Sequence, residues 1–108
     1  MDDFLQKNYI EYKIIGIDNN IYKIELNDVS IYCTIYQNKK NYRKKYYNLI
    51  VYVPQEIHEN KYILLTNKIK LIGIIEGMNI YKYYNEYDDV NDVINIILII
   101  HTILIIFN

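Results

Sequence analysis

Hydrophobic and polar positions alternate along much of this chain, and a period of two marks a half-buried β-strand. Residues 21–26 set Tyr22, Ile24 and Leu26 on one side and Lys23 and Glu25 on the other. Residues 29–36 alternate more cleanly, with Val29, Ile31, Cys33 and Ile35 against Ser30, Tyr32, Thr34 and Tyr36. Asn27-Asp28 between them reads as a tight turn. Upstream, residues 10–17 alternate through Ile14 and slip at Ile15, next to Gly16, which predicts a strand with a bulge or sharp bend. Asp18-Asn19-Asn20 is a second turn signal. Three consecutive strands with short turns form an antiparallel meander.

Residues 37–46 break the alternation. Residues 48–53 read as a short strand ended by Pro54, and residues 55–60 as a loop or helical turn. Residues 61–66 form a weaker strand, and residues 68–76 a stronger one with Gly73 in its middle. Gly77-Met78-Asn79 is a turn, and residues 80–84 close the β region.

The character then changes. Asp88 or Asp89 can cap a helix, and Asp92 suits its first turn against the dipole. The predicted helix runs from about 88 to 107, because an uninterrupted strand of that length would be unusual. After Asn95 it is apolar nearly all round. One face carries Val90, Val93, Ile94, Ile97 and Leu104, the other Ile96, Ile99, Ile103 and Ile106. A surface helix buries one stripe, so the second face expects a partner. Val93, Ile96, Ile99, Ile100, Ile103 and Ile106 are the expected oligomer interface, with helix-to-helix assembly as the leading reading. Two others stay open, a helix that plugs its own core and a tail anchor. Val93 to Phe107 is only 15 residues, has no flanking Lys or Arg and contains Asn95, His101 and Thr102. A span needs about 20 mainly apolar residues, so a membrane partner is not expected.

Composition sharpens this outline. The chain has 108 residues, enough for one domain, with the β region at about 8–85. Hydrophobic content is 52%, which supports a core and argues against disorder. Ile occurs 24 times, Asn 14, Tyr 14 and Lys 11, while Ala and Trp are absent. That set has A/T-rich codons, so part of the tyrosine and lysine content is background. It also favours strands over helices. The acidic start, Met1-Asp2-Asp3-Phe4, is no signal peptide, and the single Cys33 excludes an internal disulfide framework. An intracellular protein is expected.

The net charge is −1, which excludes a generally basic coat protein, yet it hides an asymmetry. Lys39, Lys40, Arg43, Lys44 and Lys45 put five positive charges within seven residues, and the remainder sums to −6. Tyr36, Tyr42, Tyr46 and Tyr47 are interleaved, and Tyr32 lies on the polar side of the adjoining strand, a side that Lys23 can share. Single-strand binders combine a cationic track with aromatic stacking platforms. Lys39, Lys40, Arg43, Lys44, Lys45, Tyr32, Tyr36 and Tyr42 are therefore the candidate nucleic-acid contacts. The competing account is a solvated loop in a Lys/Tyr-rich chain. Tyr81, Tyr83, Tyr84 and Tyr87 form a second cluster, read as hairpin and core packing.

Short strands in a meander, a glycine-bent first strand and a terminal helix suggest an OB-like antiparallel β-barrel with a C-terminal α-helix, a mainly β fold. Several stretches are similar to the OB domain in the middle subunit of replication protein A. They are Tyr12-Lys-Ile-Ile-Gly-Ile17, Lys68-Ile-Lys-Leu-Ile-Gly-Ile-Ile-Glu76, Tyr81-Lys-Tyr-Tyr84 and Glu86-Tyr-Asp-Asp-Val-Asn-Asp-Val-Ile94. The smallest subunit and telomeric relatives share that architecture. The resemblance covers about two thirds of the chain. The family's middle subunit carries a phosphorylated tail and a winged-helix domain that have no counterpart here. The resemblance implies assembly of residues 90–107 into a helical bundle with other OB-fold subunits, or with a second copy. It also implies modest single-stranded DNA contact by the barrel. Cys33-Thr-Ile-Tyr-Gln-Asn-Lys-Lys-Asn-Tyr-Arg-Lys-Lys45 also resembles the basic segment of translation initiation factor 1A, which implies RNA as the alternative partner.

No catalytic chemistry stands out. There is no Gly-rich phosphate loop or nucleophile motif, and Ser30 is the only serine. His58 and His101 lack ligand spacing to each other or to Cys33, so no metal and no cofactor are expected. Cys33 alternates with Val29, Ile31 and Ile35 and reads as a small buried hydrophobe. The expected function is a non-catalytic subunit of a single-stranded DNA-binding complex.

Overall fold

The computed structural model describes residues 1–37, 40, 44–54, 69–83, 87 and 89–107, without the side chains of 69, 70, 103 and 105–107. Six antiparallel strands form one sheet: β1 (Glu11–Ile15), β2 (Ile21–Leu26), β3 (Val29–Gln37), β4 (Lys45–Pro54), β5 (Ile69–Ile75) and β6 (Met78–Tyr83). Their spatial order is β1-β2-β3-β4-β6-β5. The first four strands are a meander. The β5–β6 hairpin then attaches through β6 to β4, and among the described residues β1 and β5 are the two edges. The fold is mainly β with two helices, α1 (Asp2–Lys7) and α2 (Val90–Phe107).

Turn chemistry sets the register. Leu26 pairs with Val29 across a two-residue loop in which Asn27 takes a φ of 53°. Asparagine tolerates that left-handed region better than most residues. Ile75 pairs with Met78, so the second tight turn is Glu76-Gly77, with φ values of 48° and 79°. Two positive φ values are what a type I′ turn requires, and they match the strand twist. Met78 and Asn79, expected in the turn, are instead the first residues of β6. Gly16 does not bend the interior of a strand either. β1 ends at Ile15, and Gly16 opens the connection to β2 at a φ of 95°, leaving Ile17 fully exposed. The bulge lies elsewhere, in β5. Leu71 pairs with Tyr81 and Gly73 with Ile80, so Ile72 is an extra residue.

Two further differences concern extent. β4 begins at Lys45, earlier than expected, because residues 45–47 pair with Gln37, Tyr36 and Ile35 of a long β3. The alternation there is masked by Tyr46 and Tyr47, which are chemically alike yet face opposite ways. α1 was not anticipated; six residues are too few to show a helical period. Asp2 and Asp3 in its first turn and Lys7 in its last complement the helix dipole. Leu5 is fully buried beneath it, and Tyr22 on β2 donates its hydroxyl hydrogen bond to Asp2. The expected strand at 61–66 and loop at 55–60 lie outside the described residues.

α2 covers one face of the sheet. Asp89 caps it by accepting the Asn91 N–H at 2.8 Å, and Asp92 sits in its first turn. The chain entering it is pinned to β4 by a bridge between Tyr47 and Tyr87, at 2.6 and 3.0 Å. Val93, Ile96, Ile97, Ile100 and Leu104 make a single buried stripe at helical spacing. They join Leu5, Ile10, Ile24, Leu26, Val29, Ile31, Cys33, Leu49, Val51, Val53 and Tyr83 in the core. Three of the six residues expected to face a partner, Val93, Ile96 and Ile100, thus fill the chain's own core. Ile99 points outward beside Leu98, each a little under half exposed. The side chains of Ile103 and Ile106 lie outside the described residues. Among those residues, no helix is long and apolar enough to cross a membrane.

Candidate nucleic-acid interface

Strand alternation turns the other half of β2, β3 and β4 toward the face that α2 leaves uncovered. Directly paired residues share a face, so the register traces rows across the sheet. One row takes a residue from every strand: Lys13, Lys23, Tyr32, Ile50, Lys82 and Lys70. One of its pairs, Lys13 with Lys23, opposes like charges, and Lys70 takes the register position opposite Lys82. Such pairs are destabilising in a sheet, so the fold gains nothing from them.

Four tyrosines occupy the same face: Tyr32 and Tyr36 from β3, Tyr46 and Tyr52 from β4. All are half-buried. Tyr32 and Tyr52 meet edge to face with centroids 5.2 Å apart, while Tyr36 and Tyr46 stack at 5.8 Å and 30°. Lys23 Nζ lies 5.8 Å from the Tyr32 ring centroid and 3.7 Å from Glu25 Oε1. Ser30 Oγ donates to Glu25 Oε2 at 2.8 Å, so Glu25 is held beside the row without closing it. Asn48, also on this face, keeps a buried Oδ1 that accepts no hydrogen bond from the described residues. The arrangement offers cations and aromatic rings on a surface fixed by main-chain pairing.

The residues expected from sequence fall into three groups. Tyr32 and Tyr36 stand on the open face, and Lys23 joins them there. Lys40, Lys44 and Lys45 are exposed at the β3–β4 end. Lys45 helps to line a groove of about 610 Å³ with Asn20, Tyr22, Tyr36 and Gln37. Lys39, Tyr42 and Arg43 lie outside the described residues. Sequence reading did not place Lys13, Lys82, Tyr46 and Tyr52 on this face. Their signal is the inter-strand register, which alternation within one strand cannot supply.

The tyrosines facing the other way behave as core. Tyr83 is buried and meets Tyr87 edge to face at 6.4 Å, and Tyr81 packs against the same cluster. Burial raises the pKa of Tyr83, and burial with the Asp2 carboxylate raises that of Tyr22. Burial pushes the Cys33 thiol up to about 12. A thiol held protonated in this way is a poor nucleophile. His101 is half-buried beside Glu11, Glu25 and Asn27, around a groove of about 350 Å³. Among the described residues no three His, Cys, Asp or Glu side chains gather as a metal site. Comparison with protein-family models, curated proteins and solved structures finds no match to this chain.

Proposed function

We propose that this protein is a non-catalytic, single-stranded DNA-binding subunit of the replication or telomere type. Its binding surface is the open face of the sheet. The observation that carries this reading is the row of lysines running through Tyr32, with a like-charge pair, Lys13 and Lys23, that costs the fold stability. An anion that runs along the row relieves that cost. Bases stack on tyrosine rings with little regard to sequence, at about 1–3 kcal/mol per base. Lys40, Lys44 and Lys45 add exposed positive charge at the β3–β4 end of the sheet.

The finer architecture belongs to this proposal too. An OB-like barrel would bring the β1 and β5 edges of the curved sheet toward each other, around the core that α2 fills. Contact with other subunits is assigned to the outward edge of α2, at Leu98 and Ile99.

The test is a titration with a labelled single-stranded oligonucleotide at two salt concentrations. Duplex DNA and hairpin RNA serve as competitors. The expected result is salt-sensitive binding that prefers the single strand. Each lysine of the row that meets a phosphate contributes about 0.7 to the slope of log affinity against log salt. Lys13→Gln with Lys82→Gln should lower that slope and weaken binding without unfolding the protein. Preferential competition by hairpin RNA would move the reading to an RNA-binding factor. Absence of binding at low salt would overturn both.

A further inference from the structure

Two rows of side chains run next to each other on the open face, about 7 Å apart, and their charges are sorted. The first is the row through Lys13, Lys23 and Tyr32. The second, two residues along each strand, reads Glu11, Glu25, Ser30 and Tyr52 before the buried Ile80. Lys13 therefore opposes Lys23, and Glu11 opposes Glu25. Exchanging the residues at 11 and 13 would turn both like-charge pairs into cross-strand ion pairs at unchanged composition. Stability alone favours that exchange. The sorting points instead to what the two rows meet.

A nucleotide strand has two sides that match them. Phosphates favour the lysines, and the carboxylates repel them. The bases, set to one side of the phosphates, then come over the second row. There Tyr52 meets Tyr32 edge to face, and Ser30 and Glu25 are the next positions toward β1. Glu25 is held in place. Its Oε2 accepts the Ser30 hydroxyl at 2.8 Å, and its Oε1 lies 3.7 Å from Lys23 Nζ. A carboxylate offers about four acceptor sites, so Glu25 keeps capacity for a further donor. With Glu11, Tyr12, Lys13 and Lys23 it lines a groove of about 340 Å³.

We propose that Glu25 is a specificity-determining residue of this face, selecting bases that carry an amino group, such as cytosine, over thymine and uracil. The inference rests on the single-strand reading above. Stacking is indifferent to base identity, but a fixed carboxylate is not. It accepts a hydrogen bond from the N4 amino group of cytosine and opposes the O4 carbonyl of thymine or uracil. In a single strand these edges are free to be read.

Fluorescence anisotropy with labelled oligo-dC and oligo-dU of equal length, at neutral pH, tests this. Oligo-dC should bind about tenfold more tightly. Glu25→Gln should bring the two close together, chiefly by raising affinity for oligo-dU, because a carboxamide donates to O4 as well as accepting from N4. A merely structural or long-range electrostatic role would move both affinities alike and leave their ratio unchanged, which would overturn the proposal. Glu11→Lys combined with Lys13→Glu should raise the melting temperature and shrink the ratio, since Lys at position 11 then closes on Glu25. A lower melting temperature would show that the sorted rows serve the fold and would also overturn the proposal. Equal wild-type affinity for the two oligonucleotides would overturn this inference and leave the single-strand reading standing. Absence of binding to both would overturn that reading and this inference with it.

Discussion

The two faces of the sheet are made by the same strands, often by neighbouring residues, and they meet opposite fates. Tyr47 points inward, is buried and is bridged to Tyr87. Tyr46, one residue earlier, points outward and stacks on Tyr36. The covered face is built mainly from Ile, Leu and Val, with Tyr47, Tyr81, Tyr83 and Cys33 among them, and is matched by the stripe of α2. The open face carries Lys, Tyr, Ser, Thr and Asn, with Ile50 and the buried Ile80 among them. Residue type alone does not decide the role of a tyrosine here; strand parity does. The covered face holds the fold together, and the open face tolerates charge conflicts that a purely structural surface would be expected to avoid.

The largest break in this comparison should come from a charge on the covered face. Ile97→Asp places a carboxylate at a fully buried position and should cost about 4 kcal/mol or more, read as lost cooperativity in urea unfolding. Alkaline pH attacks the same face more gradually. Cys33, Tyr83, Tyr22 and Tyr47 all have raised pKa values, with burial the first cause in each. The unfolded chain loses these protons first, so their contribution is fully present below about pH 9 and falls as pH climbs. For Cys33 the window is about pH 9 to 12, worth on the order of 4 kcal/mol when complete. Unfolding free energies measured from pH 8 to 11 should decline steadily, and a thiol reagent should label Cys33 only after unfolding.

On the open face the effect should move from stability to binding. Tyr32→Ala should cost about 1–3 kcal/mol of single-strand affinity, measured by fluorescence anisotropy. Its stability cost should be smaller, about 0.5–1.5 kcal/mol, from the lost edge-to-face contact with Tyr52. The smallest change should come from Ile99→Asp on the outer side of α2. An exposed substitution there should stay within about 0.5 kcal/mol in thermal unfolding. A larger loss would mean that this side of the helix is covered after all.

These contrasts also show what could be read from one sequence. β2 and β3 were legible because their alternation is unbroken and a two-residue turn joins them. β5 and β6 were legible as apolar runs around a glycine, although the bulge at Ile72 depends on pairing with β6. α2 was legible in its extent and in Asp89 as one of two candidate caps. Its faces were not. From Ile96 to Leu104 only His101 and Thr102 interrupt the apolar run, so composition suggested two buried sides. The sheet selects one, through Val93, Ile97, Ile100 and Leu104. The candidate site was half legible. Tyr32, Tyr36 and Lys23 follow from parity within two strands. The lysine row needs the alignment of six strands, which is set by turns and bulges far apart in the chain.

The separation of α2 from the strands it covers has a consequence during synthesis. β1 to β4 pair with their sequence neighbours, so the meander can zip up as soon as Pro54 has emerged. Its apolar side then waits for Leu104, about 50 residues later. At about 5–20 residues per second, that is a delay of roughly 3–10 s. Through that interval α1, already made, is the only described helix on hand to shield the nascent sheet. The short N-terminal helix is available as cover in that interval, and because Leu5 also belongs to the finished core, its loss should lower both the yield of soluble protein from the ribosome and the stability of the fold.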